Sequence, residues 1–310
     1  MKRTSILGLC LVSVLAVFGL SAMGAASASA GTYYWCQAAV PKKTGEFTEA
    51  KCATIAGKTK KGVFTPSHKG AFEKVPVSAC VAQKKGEYTN SSCTTKSAKA
   101  KKGTFEITGG RKYTASAGAA ALATPAFGPG DVKCKASTTV GEITGATTDT
   151  DQVTFTGCEF EGLPCESAGP NSEPSHTAGV IITAHLTSKL IDNPETLTII
   201  NQKDEPETVG PAAGHVWNDL FSLEKEDYSS EFNCGGVVFL RTKGQDAGEY
   251  TTGSLNHLST TSQTEFEAGV GAQGLLTEVL TEAGWAGPAP SIEEAGVATA
   301  TSEDEIEVRS

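Results

Sequence analysis

Two segments of this chain repeat one another around cysteines. Gly45-Glu46-Phe47-Thr48 is followed by Cys52, Thr54, Lys60-Lys61-Gly62 and Phe64, and Gly86-Glu87-Tyr88-Thr89 by Cys93, Thr95, Lys101-Lys102-Gly103 and Phe105. Every matched position is displaced by 41 residues, which marks a duplicated structural unit. Each copy has one upstream cysteine, Cys36 or Cys80. The expected pairs are therefore Cys36–Cys52 and Cys80–Cys93. Neither copy has enough large apolar residues for a thick core, so the covalent bond matters. Closing a loop of this length contributes about 3 kcal/mol in the chain-entropy treatment, support that a small unit needs. Phe47 and Tyr88, with Phe64 and Phe105, are expected to pack on these bridges. A zinc site is the competing use of four cysteines, but there is no C-x-x-C spacing and His68 has no counterpart in the second copy, so no metal is expected.

The beginning of the chain sets the compartment. Lys2 and Arg3 precede an apolar run from Ile6 to Ala22, and Ala25-Ala26-Ser27-Ala28-Ser29-Ala30 follows, with no charge until Lys42. A basic start, an apolar stretch and small residues at an A-x-A end make residues 1–30 a signal peptide cleaved after Ala30. The alternative is an uncleaved anchor, because the apolar run reaches the lower limit for spanning a bilayer. Cys10 follows Leu9 rather than a small residue and is read as part of the discarded segment. No later stretch is long and apolar enough to span a membrane. Of nine cysteines, eight then remain in an exported product, an even number that predicts four disulfides.

Charge divides what remains. Residues 31–110 hold 14 Lys and Arg against 5 Asp and Glu, while residues 111–310 hold 10 against 30. This step places a domain junction near Thr108-Gly109-Gly110. The expected organisation is a basic tandem repeat over 31–109, with copies at about 36–66 and 80–107, and an acidic domain over 110–310. In the latter, Val180, Ile182, Ala184, Leu186 and Leu190 alternate with polar residues as a half-buried strand does. Asn193-Pro194 marks a turn and Leu197-Thr198-Ile199-Ile200 a partner strand. Val153 and Phe155 alternate with threonines, Val237 to Leu240 reads as a strand buried on both faces, and Leu275 to Leu280 as a short helix ended by Gly284. Ile306 and Val308 alternate with charged residues, so the acidic C-terminus is read as a strand docked into the sheet. Short strands and turn signals with little helical periodicity predict an all-β, sandwich-type domain. Parity directs Cys134 and Cys234 toward a core beside Val132 and Phe232. The expected pairs are a core Cys134–Cys234 bridge and a local Cys158–Cys165 loop.

These motifs together resemble a family. The Gly-Glu-Tyr-Thr…Cys-Thr repeat, Val153-Thr154-Phe155-Thr156-Gly157-Cys158 with Cys165, Glu231-Phe232-Asn233-Cys234-Gly235-Gly236 and the ending Glu305-Ile306-Glu307-Val308 are similar to segments of uncharacterised exported proteins of high-GC actinobacteria. The resemblance spans most of the chain after residue 30 at the level of short motifs. It implies secretion and the two-part layout, and it brings no catalytic residues.

Chemistry is sparse. The five histidines, His68, His176, His185, His215 and His257, stand in no nucleophile or zinc motif,. His185 lies on the polar side of its strand and is read as solvated. Carboxylate pairs such as Asp204-Glu205 with Glu207 are expected by chance in so acidic a domain. Asp149 and Asp151 suggest a Ca²⁺ contact, but the full calcium-loop spacing is missing. No phosphate loop or dinucleotide fingerprint is present, and Gly235-Gly236 is read as a bulge or close packing. Neither a cofactor nor a nucleic-acid partner is expected. The functional handle is lysine. Lys42 and Lys43, Lys60 and Lys61, Lys84 and Lys85, and Lys101 and Lys102 recur in the two copies, with Tyr33, Tyr34, Trp35 and Tyr88 nearby in sequence. Stacked repeats would make a positive surface for an anionic envelope polymer. The competing uses of these lysines are solubility and docking on the protein's own acidic domain. The expected function is therefore a non-catalytic envelope-associated or extracellular binding or structural protein. The alternative is a secreted hydrolase with a carboxylate or histidine site in the β domain, marked by a cleft with converging carboxylates.

Overall fold

A computed structural model describes residues 31–40, 42–123, 130–170, 172–192, 197–200, 206–209, 216–222, 228–253, 256–265, 273–294 and 296–309. Residues 1–30, expected to be a signal peptide, Asn193-Pro194, expected to be a turn, Asp204-Glu205 and His215 lie outside them. The described residues form strands and no helix. The basic segment contains β1 (Thr32–Ala38), β2 (Gly57–Lys60), β3 (Val63–Pro66), β4 (Phe72–Pro76), β5 (Cys80–Gly86) and β6 (Gly103–Ile107). Then come β7 (Arg111–Ala117), β8 (Ala120–Ala123), β9 (Asp131–Cys134), β10 (Ala136–Ile143), β11 (Thr148–Thr156), β12 (Glu159–Phe160) and β13 (Leu163–Ser167). The chain continues through β14 (Val180–Ile182), β15 (Leu186–Asp192), β16 (Leu197–Ile200), β17 (Pro206–Val209), β18 (Val216–Ser222) and β19 (Ser230–Cys234). It ends with β20 (Val238–Thr252), β21 (Ser259–Glu265), β22 (Gln273–Thr281), β23 (Gly284–Glu294) and β24 (Val297–Arg309).

The protein is all-β and sandwich-like, and its antiparallel ladder curls back on itself. One circuit of pairings runs β7–β10–β11–β15–β18–β20–β21–β24 and returns to β7. A second runs β8–β9–β12–β13–β19–β20–β22–β23 and returns to β8. The 15-residue β20 belongs to both. Closure leaves few free edges and gives each circuit an inward face. Tyr33, Ile143, Leu190, Tyr250, Ile306 and Val308 form one core. Val132, Ile181, Phe232 and Leu240 form the other around four half-cystines.

The sheet crosses the compositional step at residue 110. β1 pairs with the end of β24, from Thr32 opposite Arg309 to Trp35 opposite Ile306, and β4 pairs with β1. The acidic C-terminal residues thus form a strand gripped by the basic segment. Lys51 meets Glu305 at 3.4 Å, Lys74 pairs with the buried Glu307, and Arg111 meets Asp304 at 3.0 Å while lying over the Trp35 ring.

Several local expectations are corrected. The stretch 180–190 is two strands, not one. At the break, Thr183 donates its backbone N–H to the Val153 carbonyl, and its hydroxyl accepts the Val153 N–H. This side-chain substitution for a ladder bond shifts the alternation, so Ile181, Leu186 and Leu190 are the buried residues. β16 pairs with β17 rather than with the preceding strand. Leu275 to Leu280 is strand, held between β20 and β23. Val237 is 70% exposed and only Leu240 is buried, so that strand has one inward face.

The core disulfides are Cys134–Cys158 and Cys165–Cys234, which replaces the expected Cys134–Cys234 and Cys158–Cys165 pairs. Gly157 has a φ of 65°, open to glycine at little cost. That turn breaks the alternation of β11 and sends Cys158 inward, where it is 1% exposed. Cys165 stands directly opposite Cys234 in the β13–β19 register. In the repeats Cys36 is joined to Cys52 and Cys80 to Cys93.

Candidate functional site

The two repeats share a small scaffold. In the first half of each, Phe47 bridges Ile55 as Tyr88 bridges Lys96, and Thr48 N–H donates to Thr54 O as Thr89 N–H does to Thr95 O. Cys52 and Cys93 both take positive φ, 47° and 51°. The second half departs from the 41-residue correspondence. Phe72, not Phe64, bridges Phe47 as Phe105 bridges Tyr88. The matching segments are thus Lys69-Gly70-Ala71-Phe72-Glu73 and Lys102-Gly103-Thr104-Phe105-Glu106, and the first copy carries the β2–β3 hairpin as an addition. Phe64 lies on that hairpin, 48% exposed.

Glycine makes this scaffold possible. Gly45 pairs with Gly70 and Gly86 with Gly103. A methyl group at any of the four would collide with the backbone of Phe72, Phe47, Phe105 or Tyr88. The pairing has a consequence for charge. Lys84-Lys85 and Lys101-Lys102 each directly precede a member of the Gly86–Gly103 pair, and Lys69 directly precedes Gly70, the partner of Gly45. Lys60 and Lys61 instead occupy the β2–β3 hairpin tip. All eight lysines singled out from the sequence are exposed. Among the described residues none of the eight forms an ion pair.

A second candidate lies inside the sheet. Alternation turns Ala115 and Ala117 of β7, Ala298 and Ala300 of β24, and Ser262 and Thr264 of β21 inward. Side chains this small cannot fill the interior of a closed ladder of this size. A cavity of about 180 Å³ remains. Its walls include Val132 and Phe232 of one core and Tyr250 of the other, so it lies between them.

At one side of this cavity, tyrosines surround two carboxylates. Asp149 and Asp151 are two residues apart on β11 and face the same way; they are 1% and 3% exposed. Gly141 of β10 is opposite both Tyr113 and Asp151. Having no side chain, it lets the Tyr113 ring lean across β10 to reach β11. The Tyr113 hydroxyl approaches Asp149 Oδ2 at 3.1 Å and makes a short contact with Asp151 Oδ1. Tyr33 donates to Asp149 Oδ2 at 3.3 Å and lies 3.2 Å from the Tyr250 hydroxyl. Tyr113 has one hydroxyl proton and two carboxylates to satisfy, so both contacts are hydrogen bonds only when an aspartate carries a proton. Burial pushes the Asp151 carboxyl up to about 6, against the lowering effect of the Tyr113 bond. Burial and the nearby aspartates hold the three phenols well above their ordinary range. Asp151 Oδ2 has no hydrogen-bond partner among the described residues. Asp149 and Asp151 are thus brought together by phenols rather than by a calcium-type ligand set. Among the described residues no group of three or more His, Cys, Asp or Glu is placed to hold a metal.

A third polar cluster escaped the sequence reading. Arg241 pairs with Glu278, its Nε at 2.7 Å, and lies between the rings of Tyr228 and Trp285 at 4.0 and 4.2 Å. Burial would raise the Glu278 carboxyl, but hydrogen bonds from Arg241 and Tyr228 and the charges of Arg241 and Lys243 outweigh it and lower it. The only sequence trace is parity: Arg241 and Glu278 face each other once β22 is a strand. His185 is exposed. No protein-family model, curated protein or solved structure matches this chain. Among the described residues no helix is long and apolar enough to cross a membrane.

Proposed function

We propose that this is an exported, non-catalytic binding protein that attaches to an anionic polymer of the cell envelope through the lysines of its two repeats. One observation supports the reading: in both copies a glycine–glycine pairing is flanked by exposed lysines that form no ion pair among the described residues. Exposed lysines without ion pairs present positive charge that an anion can neutralise. The basic segment does use lysine internally, but there it uses Lys51 and Lys74 against β24. In this reading, self-docking and outward display belong to different lysines. The four disulfides are typical of extracellular proteins and support export.

The test is co-sedimentation of the full chain with isolated cell walls at low and high salt. The comparison is a variant with Lys84, Lys85, Lys101 and Lys102 replaced by Ser. The proposal expects salt-reversible pelleting of the original protein and at least a tenfold weaker interaction for the variant. Equal pelleting would overturn it. The hydrolase alternative draws support from the two carboxylates converging beside a cavity. The Tyr113 hydroxyl, however, lies between them and fills the space that a scissile bond would need.

A further inference from the structure

We infer that the cavity between the two cores is a binding site for a small, mostly apolar amine, whose ammonium group is held by Asp151. The volume, about 180 Å³, slightly exceeds the roughly 150 Å³ of a dry cavity that accepts benzene. One six-membered ring or a short branched chain with a head group is the size that fits. The walls supply the matching chemistry: Leu122, Val153, Phe155, Ile181 and Leu275 are apolar, and Asp151 is the one charged residue of the described lining.

The head group follows from what Asp151 lacks. Its Oδ2 is buried without a hydrogen-bond partner among the described residues, and a desolvated carboxylate is costly unless paired and hydrogen-bonded. The described lining of this cavity and of the smaller one adjoining it includes no Lys, Arg or His. The surrounding phenols and hydroxyls give hydrogen bonds but no positive charge. An ammonium supplies both, and it offsets the repulsion between Asp151 and Asp149. An alcohol supplies a hydrogen bond only, and a carboxylate ligand would add a third negative charge. The burial that raises the Asp151 carboxyl is the cost that an ammonium beside it would offset.

The experiment is calorimetric titration of the full, disulfide-intact chain with benzylamine, benzyl alcohol, toluene and calcium chloride in turn. Benzylamine is expected to bind at least tenfold more tightly than benzyl alcohol or toluene. Asp151→Asn should abolish that preference. Ala300→Leu, which fills the cavity while keeping the carboxylate, should block benzylamine and toluene alike. Circular dichroism verifies the fold of both variants, and if Asp151→Asn does not fold, Ala300→Leu together with the benzylamine–alcohol comparison decides. Equal affinity for amine and alcohol, an unaffected Ala300→Leu variant, Asp151-dependent binding of Ca²⁺ in place of the amine, or no binding of any organic probe would each overturn the proposal.

Discussion

Gly141→Ala perturbs the buried carboxylate cluster without removing a polar atom. A Cβ at residue 141 would lie 2.4 Å from Tyr113 Cζ and 2.6 Å from both Asp151 Oδ1 and the Tyr113 hydroxyl, where ordinary contact begins at 3.4 Å. The Tyr113 ring must retreat by about 1.0 Å and the Asp151 carboxylate by about 0.8 Å, which pulls at the hydrogen bond between them. Overpacking of this kind costs about 1–3 kcal/mol. Losing the Tyr113–Asp151 bond leaves a buried acceptor short of a partner, about 1–3 kcal/mol more. The more restricted unfolded chain returns about 0.4–1 kcal/mol. The net is a destabilisation of about 1–5.6 kcal/mol, which lowers the melting temperature by roughly 2–22 °C for a protein of this size. Gly118→Ala is the control, because nothing lies within 4 Å of its Cβ position. Thermal unfolding of the two variants should separate them clearly, with Gly118→Ala at or slightly above the original protein. Coincident melting curves would refute the claim that Gly141 is the opening through which Tyr113 reaches β11.

Three further outcomes are expected. Asp151 has its carboxyl raised from 3.8 to about 6 in the folded protein, so its contribution is fully present below pH 4 and lost as pH rises through 6; urea titrations should show Asp151→Asn gaining up to about 3 kcal/mol on the original protein between pH 4 and 7, and a gap that does not change with pH would contradict this. Arg241→Ala strands the Glu278 carboxylate between Tyr228 and Lys243 and should cost about 3 kcal/mol at neutral pH; because Glu278 is lowered in the folded state, the deficit should shrink in urea titrations as pH falls below 4. A non-reducing digest followed by mass spectrometry should link Cys134 to Cys158 and Cys165 to Cys234, and a Cys158–Cys165 peptide would refute the core described above.

Much of the architecture was legible because it depends on short-range pattern. Alternation at Ile306 and Val308 identified a docked C-terminal strand inside an acidic stretch, and strand and turn signals identified an all-β protein. What failed depended on single backbone events. One positive-φ glycine, Gly157, reversed the direction of Cys158 and with it two disulfide partners. One side-chain hydrogen bond at Thr183 broke the alternation, so the strand before it buries Ile181 rather than Val180 and Ile182, while Leu186 and Leu190 beyond it are buried as expected. The duplicated motif hid an inserted hairpin, because Lys60-Lys61-Gly62 mimics Lys101-Lys102-Gly103 in sequence while Lys69-Gly70 takes its structural place. Leu275 to Leu280 contains residues comfortable in a helix, and only its partners β20 and β23 decide for strand. Of the candidate sites, the lysines were legible as charge. The cavity was not, because it arises where alanines and small hydroxyl residues from strands distant in sequence face one another. Asp149 and Asp151 were visible, but their setting required Tyr33, Tyr113 and Tyr250 to converge from three other strands.

The most direct test of the central claim is the affinity of the full chain for a defined soluble polyanion, such as polyphosphate, across a series of salt concentrations. Binding by lysines releases counterions, so the logarithm of the affinity falls linearly with the logarithm of salt, with a slope of roughly −0.7 per phosphate contacted on a flexible single chain. If the repeats form the contact surface, replacing Lys84, Lys85, Lys101 and Lys102 with Ser should make the slope shallower by about 2–3 and weaken binding at low salt. An unchanged slope and affinity would mean that these lysines touch no polymer, and the proposed attachment through the repeats would be wrong.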